Sequence, residues 1–102
     1  MMETITMTVR PFRMGTDKEV ALKPLEEAAE VYGAWQDADW CGSPSPTCGR
    51  SEVAGVCDAY AALADELADC VTACVNLADR YGIDLQAALD RVESHNRERG
   101  RY

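Results

Sequence analysis

One apolar stripe in the second half of the chain constrains the fold more than any other feature of the sequence. From Val56 to Tyr81 apolar side chains recur every three or four positions, which places them on one face of a long α-helix. Gly82 follows and ends the predicted helix. With further helices before and after it, the sequence predicts an all-α bundle. The stripe consists of Val56, Tyr60, Leu63, Leu67, Val71, Cys74, Ala78 and Tyr81.

A first helix is predicted upstream of this stripe and continues to about Asp37. Asp17 is placed to cap it. Pro24 either occupies the first turn of a helix that starts later, or kinks a helix that starts at Asp17. The apolar positions of this helix are Val20, Leu25, Ala28, Tyr32 and Trp35.

A third, shorter helix is predicted after Gly82, with Asp84 as its N-cap. Its apolar positions are Leu85, Ala88, Leu89 and Val92. Its end is basic, as favoured at a helix C-terminus. The basic residues are Arg91, Arg97, Arg99 and Arg101. The two long helices are expected to pack antiparallel, with the third beside them.

The remaining segments of the single domain, residues 1–102, are an arm and a loop. Residues 38–52 are rich in glycine, proline and serine and are predicted to form an inserted loop. Residues 1–16 are predicted to form an extended arm, in which the alternation from Thr4 to Val9 has the period of a short strand. A lone strand cannot pair its own backbone, so the arm would pair with another subunit or lie along the helices.

An excess of acidic side chains restricts the partners. Eighteen Asp and Glu residues against ten Lys and Arg give a net charge of −8, which repels phosphate backbones and anionic lipid heads. We therefore expect no nucleic-acid partner and no membrane partner. The sequence has no apolar run of the ~20 residues that cross a bilayer and no secretory signal, which favours a cytoplasmic location.

The five cysteines do not require disulfides, because their number is odd and a reducing compartment keeps thiols free. Cys70 and Cys74 lie four residues apart in the helical pattern and are predicted to be core thiols. Cys41, Cys48 and Cys57 could in principle collect zinc, but their spacings differ from the short pairs of structural zinc sites.

Three further side chains have two interpretations each. Trp35 and Trp40 flank the loop and could stack on a nucleobase, or pack at a helix end or a subunit contact. Asn76 lies on the same helix face as Asp69, two turns later. It could reach a substrate or be an exposed polar residue.

Carboxylates border the apolar faces of both long helices. Glu26, Glu27 and Glu30 occupy one sector of the first helix, and Glu66 and Asp69 are three residues apart on the second. If the helices pack antiparallel, four of these groups converge, and they would repel one another unless a cation neutralises them. Oxygen ligands without imidazole favour Mg²⁺ or Mn²⁺ over zinc. The alternative is a solvated acidic stripe.

Three segments resemble the motifs of MazG-like nucleotide pyrophosphohydrolases. Residues 23–30, KPLEEAAE, resemble the family's K-x-x-E-E-x-x-E signature, and residues 65–69, DELAD, look like its E-x-x-D motif. Residues 96–100, NRERG, are similar to the N-x-x-R-G with which many members end. The order of the motifs is the expected one. The departures are a longer gap between the first two motifs and His95, which stands where a lysine often precedes the asparagine.

The resemblance implies a role for each matching residue. Glu26 and Glu27 are the implied catalytic carboxylates, with Glu26 orienting a water or acting as a base. The implied ligands of Mg²⁺, or of Mn²⁺ in its place, are Glu27, Glu30, Glu66 and Asp69. The implied substrate-binding residues are Lys23, Asn96 and Arg99, whose side chains suit phosphate and sugar oxygens.

The activity implied by the resemblance is metal-dependent cleavage of the α–β phosphoanhydride of a nucleoside triphosphate, giving a monophosphate and pyrophosphate. A homodimer or homotetramer is also implied, and a chain this short has little core of its own. Two alternatives stay open: a phosphoribosyl-ATP pyrophosphatase with the same site, and a non-catalytic helical oligomer that serves as an interaction protein.

Overall fold

The computed structural model describes residues 3–41 and 54–102. They form three α-helices: α1 at Asp17–Cys41, α2 at Ala54–Arg80 and α3 at Leu85–Glu98. These residues contain no strand, so the predicted all-α class is confirmed. Within the same residues, no helix is both long enough and apolar enough to span a membrane.

Thr16, rather than the predicted Asp17, caps α1. The Thr16 hydroxyl accepts a hydrogen bond from the Glu19 N–H at 3.2 Å, and the Glu19 carboxylate accepts one from the Thr16 N–H at 3.3 Å. This reciprocal pair satisfies N–H groups that a helix start leaves free. Asp17 is the first helical residue, and its carboxylate pairs with Arg80 at 2.7 Å.

Pro24 lies inside α1, so the helix starts at Asp17 and not after the proline. Because proline has no N–H, the carbonyl of Val20 lacks its usual helical donor. The helix continues to Cys41, so residues 38–41 of the predicted loop are helical. The rest of that loop lies outside the described residues, as do the side chains of Cys41, Cys48 and Cys57.

The turn between α2 and α3 follows the prediction. Gly82 has a φ of 63°, a left-handed conformation that glycine adopts without a steric penalty. The Ile83 N–H reaches back to the carbonyl of Ala78 at 2.9 Å, which completes the hydrogen-bonding pattern of a glycine-terminated helix. The Asp84 carboxylate then accepts a hydrogen bond from the Ala87 N–H at 3.0 Å and caps α3.

Helices α1 and α2 pack against each other and form a small core. Its buried apolar residues, among those described, are Val20 and Ala38 on α1 and Ala73 and Ala78 on α2. Three of these four residues are alanines, which allow close approach of the helices but bury little apolar surface. The core is correspondingly modest.

The apolar stripe of α2 does not point straight at α1, and this corrects one prediction. The buried residues Ala73 and Asn76 face inward, which turns part of the stripe away from α1. Cys74, predicted to be a core thiol, is exposed, and Cys70 is half-buried. Although Cys74 is exposed, partial desolvation of its thiol and the neighbouring Cys70 thiol raise the pKa of Cys74 above its ordinary value.

The N-terminal arm lies along α2, one of the two arrangements expected for it, and contains no strand among its described residues. No strand occurs among the described residues to pair with it, and an isolated strand is not stable. Its end is fastened to α2, because the Phe12 N–H donates to Oδ1 of Asn76 at 2.9 Å. A groove of about 620 Å³ separates residues 7–10 from the α2 side chains that include Leu67 and Val71.

Helix α3 lies at the periphery. It has only sparse contacts with α1 and α2, and none of its residues is buried. Leu89 is 54% exposed and Val92 is 52% exposed. Its apolar residues therefore contribute little to the core of the single chain.

Candidate metal centre

Three carboxylates from two helices converge beside the core. Glu27 of α1 and Glu66 and Asp69 of α2 each present an oxygen atom, and these atoms all lie within 4.8 Å of one another. Glu66 and Asp69 reach the same place because residues three apart share a helix face. The structure thus brings together three of the four metal ligands implied by the sequence.

The three groups differ in exposure. The Glu27 side chain is buried, with 6% of the residue exposed, whereas Glu66 is half-buried and Asp69 is exposed. Oε2 of Glu27 and Oε2 of Glu66 are both buried, and neither has a hydrogen-bond partner in the described residues while the carboxyl groups are ionised. Buried carboxylate oxygens without a donor are costly. A hard divalent cation, which takes oxygen ligands, fits this arrangement.

Glu30, the fourth implied ligand, is hydrogen-bonded to the cluster but is not one of its three converging carboxylates. Hydrogen bonding to Glu27, followed by hydrogen bonding to Glu66 and repulsion from both charges, raises the pKa of Glu30 from its ordinary 4.5 to about 7. Without a cation, a proton on Glu30 therefore relieves part of the repulsion at neutral pH. A bound cation would replace that proton.

Lys23 places a positive charge beside the carboxylates of the cluster. Its Nζ lies 3.1 Å from Oε1 of Glu27 and 3.6 Å from Oε2 of Glu26. The hydrogen bond from Lys23 lowers the pKa of Glu27, and the same contact raises the pKa of Lys23. Glu26 stays largely exposed outside the three-carboxylate group. The candidate catalytic pair thus divides into a buried member, Glu27, and an exposed one.

The two candidate substrate-binding residues of α3 are not joined to this cluster within the chain. Asn96 is half-buried and Arg99 is the exposed C-cap of α3. In the part of the chain that the structure describes, no hydrogen bond or ion pair links either side chain to Glu27, Glu66 or Asp69. The substrate-binding role implied for Asn96 and Arg99 stays a prediction.

Asn76 has a structural role that its sequence position did not reveal. It is 4% exposed, and its amide oxygen holds the backbone of Phe12. It is thus neither exposed nor directed at the cluster. The signal that could have identified it is its helical register, because a residue two turns after Asp69 on the α1-facing side is expected to point inward.

Comparison with known proteins leaves the family open. The chain matches no protein-family model, and no curated protein or solved structure is significantly similar to it. The structure adds one fact to the sequence motifs: residues 23–30 and residues 65–69, far apart in the chain, meet through Glu27, Glu66 and Asp69.

Proposed function

We propose that the protein is a magnesium-dependent nucleotide pyrophosphohydrolase of the MazG type, which cleaves a nucleoside triphosphate to its monophosphate and pyrophosphate. The observation that carries the proposal is the convergence of Glu27, Glu66 and Asp69 with two buried, unpartnered carboxylate oxygens. An acidic cluster alone is common in an acidic protein. The unpartnered buried oxygens are what favour a cation ligand set over a solvated stripe.

Glu27, Glu66 and Asp69 would hold the metal, with Glu30 as a further ligand once its proton has left. Mg²⁺ is the expected ion and Mn²⁺ a substitute, because both prefer oxygen ligands. When bound, such an ion activates water and offsets charge on phosphate oxygens. The proposed reaction is hydrolysis between the α and β phosphates.

Lys23 and Glu26, which lie next to the three carboxylates, have roles of their own in the proposed reaction. Lys23 keeps Glu27 ionised through their 3.1 Å contact. Glu26 is exposed beside the same lysine, where it is available to orient a water or accept its proton. A lysine at the rim also offers a positive charge to an incoming phosphate.

The site requires α1 and α2 to run antiparallel, and we propose that they do. The first residue of α1, Asp17, pairs with the last residue of α2, Arg80. Further along α1, Glu27 meets Glu66 and Asp69, which precede Arg80 on α2. Nucleotide substrates and the free thiols Cys70 and Cys74 fit a cytoplasmic location.

The proposal is tested by pyrophosphate release from a panel of ribo- and deoxyribonucleoside triphosphates with Mg²⁺, with Mn²⁺ and with chelator. We expect release only with metal. Glu66→Gln should abolish it, and Asp65→Asn, an exposed neighbour that lies outside the three-carboxylate group, should keep it. Full activity in Glu66→Gln would contradict the assignment.

Two other outcomes would redirect the assignment. Turnover of phosphoribosyl-ATP but of no nucleoside triphosphate would keep the site and change the substrate. Mg²⁺ binding without turnover of any nucleotide would indicate the non-catalytic oligomer.

A further inference from the structure

Cys70 and Cys74 form a pair of thiols that the proposed reaction does not use. They lie four residues apart on α2, which places them on one helix face, and their thiol groups are hydrogen-bonded to each other. Cys70 is half-buried and Cys74 is exposed, so the pair is open to solvent. A cysteine that serves only in packing is usually buried as a small apolar residue. Packing in the core therefore does not account for Cys74.

The geometry of the helix disfavours a disulfide between the two thiols. Residues four apart on an α-helix have their Cβ atoms about 5–6 Å apart, whereas a disulfide needs Cβ atoms about 3.5–4.5 Å apart. Both cysteines lie within the continuous helix α2, which would have to distort to form that bond. A metal ion between the sulfurs makes a longer bridge, because two metal–sulfur bonds of ~2.3 Å hold the sulfur atoms roughly 4 Å apart. The pair therefore suits a bridging cation better than a disulfide.

The number and type of ligands restrict which cation fits. Among the described residues, no third His, Cys, Asp or Glu side chain converges with the two thiols. Zinc is held by at least three protein ligands in its usual sites, and hard cations such as Mg²⁺ take oxygen ligands. Cu(I) is soft, is selected by thiolates, and forms stable complexes with two of them. Two thiols without a third ligand thus favour Cu(I).

The pair lies beside the carboxylate cluster but is separate from it. Cys70 directly follows Asp69, and Glu66 is one helical turn before Cys70. The carboxylate cluster joins two helices through Glu27 of α1, whereas both thiols belong to α2. Helix α2 therefore carries oxygen ligands and sulfur ligands next to each other. Because hard and soft cations prefer different donor atoms, the two groups can be occupied independently.

We propose that Cys70 and Cys74 form a binding site for Cu(I), which bridges their two sulfur atoms along one face of α2. On binding, each thiol releases its proton and each sulfur donates an electron pair to the cation, so neither the protein nor the metal changes oxidation state. Two thiolates and one monovalent cation keep a net negative charge and do not repel a divalent cation at the carboxylates. The site does not depend on the proposed hydrolysis.

Protection from alkylation tests the site in the unaltered chain. The reduced protein is mixed under anaerobic conditions with an equimolar amount of Cu(I), treated with iodoacetamide, and mapped by mass spectrometry. We expect Cys70 and Cys74 to lose their reactivity together on addition of Cu(I), and Zn²⁺ to leave Cys74 reactive. Equal protection of the pair by Zn²⁺, no protection, or protection only of the other cysteines would overturn the proposal. Those other cysteines are Cys41, Cys48 and Cys57.

A spacing control tests whether the two thiols bind the cation together. In a chain whose other three cysteines are replaced by serine, competition with a chromogenic Cu(I) chelator measures the affinity of the pair. Adding Cys74→Ser and Thr72→Cys keeps two thiols but sets them two residues apart, where they do not face each other. Linking two ligands raises affinity by about 10²–10⁴-fold, and we expect the spacing control to lose that factor.

Equal Cu(I) affinity in the parent chain and the spacing control would overturn the proposal. Circular dichroism checks that both proteins keep their helical content. The alkylation experiment substitutes no residue, so it decides the proposal even where a variant does not fold.

Discussion

At the scale of single residues, Glu27 shows why the cluster favours a cation. One carboxylate oxygen is satisfied by Lys23 at 3.1 Å, and the other is buried among acidic neighbours with no donor. The single lysine stabilises the charge on Glu27 but leaves the opposing oxygen of Glu66 unsatisfied. A second positive charge between the helices would satisfy both oxygens at once.

Glu30 makes the metal-free protein sensitive to pH. Its folded pKa, about 7, lies above its ordinary 4.5, so Glu30 contributes stability that is complete below 4.5 and is lost as the pH rises through about 7. The contribution of Glu27 to stability has the opposite pH dependence, because the hydrogen bond from Lys23 lowers the pKa of Glu27. Its contribution is present above its ordinary pKa and is lost as the pH falls through its lowered value.

We therefore expect Mg²⁺ to raise the melting temperature more at pH 8 than at pH 6, since at pH 6 the ion must displace the proton on Glu30. Circular dichroism melts with Mg²⁺ or with chelator at the two pH values measure this. In Glu30→Gln, the metal-free protein should lose less stability between pH 6 and pH 8 than the wild type. An equal Mg²⁺ effect at both pH values would contradict this interpretation of Glu30.

At the scale of elements, hydrogen bonds and an ion pair connect the N-terminal arm and the start of α1 to the end of α2, and these contacts position α1. Asn76 holds the backbone of Phe12, and Arg80 pairs with Asp17 while donating to the carbonyl of Gly15 at 3.4 Å. These contacts join the segment before α1 to the last two turns of α2. Because α1 carries Glu27, the same contacts also help to hold Glu27 next to Glu66 and Asp69.

Asn76→Ala should destabilise the fold by about 1–3 kcal/mol, because it leaves the Phe12 N–H without its acceptor. Urea unfolding measures the change. Thr72→Ala is the matched control, because among the described residues the Thr72 hydroxyl donates only to the Ala68 carbonyl of its own helix, and it should cost less than about 0.5 kcal/mol. Equal losses of unfolding free energy in the two variants would show that the hydrogen bond between Asn76 and Phe12 contributes no specific stability.

The helix ends were largely predictable because their signals are local. Asp84 and Gly82 act within a few residues, and both behave as the sequence predicts. Thr16 was missed although residues 16–19, TDKE, have the capping-box pattern. The neighbouring Asp17 is an equally good cap by residue type. The alternation from Thr4 to Val9 has the period of a strand, but the described residues contain no second strand to pair with, and the arm lies along α2.

The candidate site was predictable in part. Spacing placed Glu27, Glu66 and Asp69 beside the helix faces that were expected to pack, and the structure brings these three together. Spacing could not show which side of α2 meets α1, which depends on the close fit of small residues such as Ala73. The exposure of Cys74 follows from that packing.

At the scale of the whole molecule, the core is small and rich in alanine and many apolar residues are exposed, so we expect the chain to gain stability by association. If folding and association are linked in this way, stability depends on protein concentration. We expect the melting temperature to rise as the chain concentration rises. A melting temperature independent of concentration, together with a monomeric mass by light scattering, would contradict this.

We expect Val92→Asp to weaken the proposed self-association, because it places a charge on the exposed apolar face of α3. Ser94→Asp adds the same charge on the opposite face of α3 and should leave the mass unchanged. Light scattering after size-exclusion chromatography compares the two variants. If the Val92→Asp variant has the same oligomeric mass as the wild type, α3 is not part of the interface.

The central claim is metal-dependent hydrolysis of the bond between the α and β phosphates, and phosphorus NMR of a nucleoside triphosphate reaction in water enriched in oxygen-18 tests it most directly. With Mg²⁺, the account predicts a monophosphate and pyrophosphate, one of which carries a single labelled oxygen, and no reaction with chelator. Release of orthophosphate as the first product, or the same reaction rate with chelator, would contradict it.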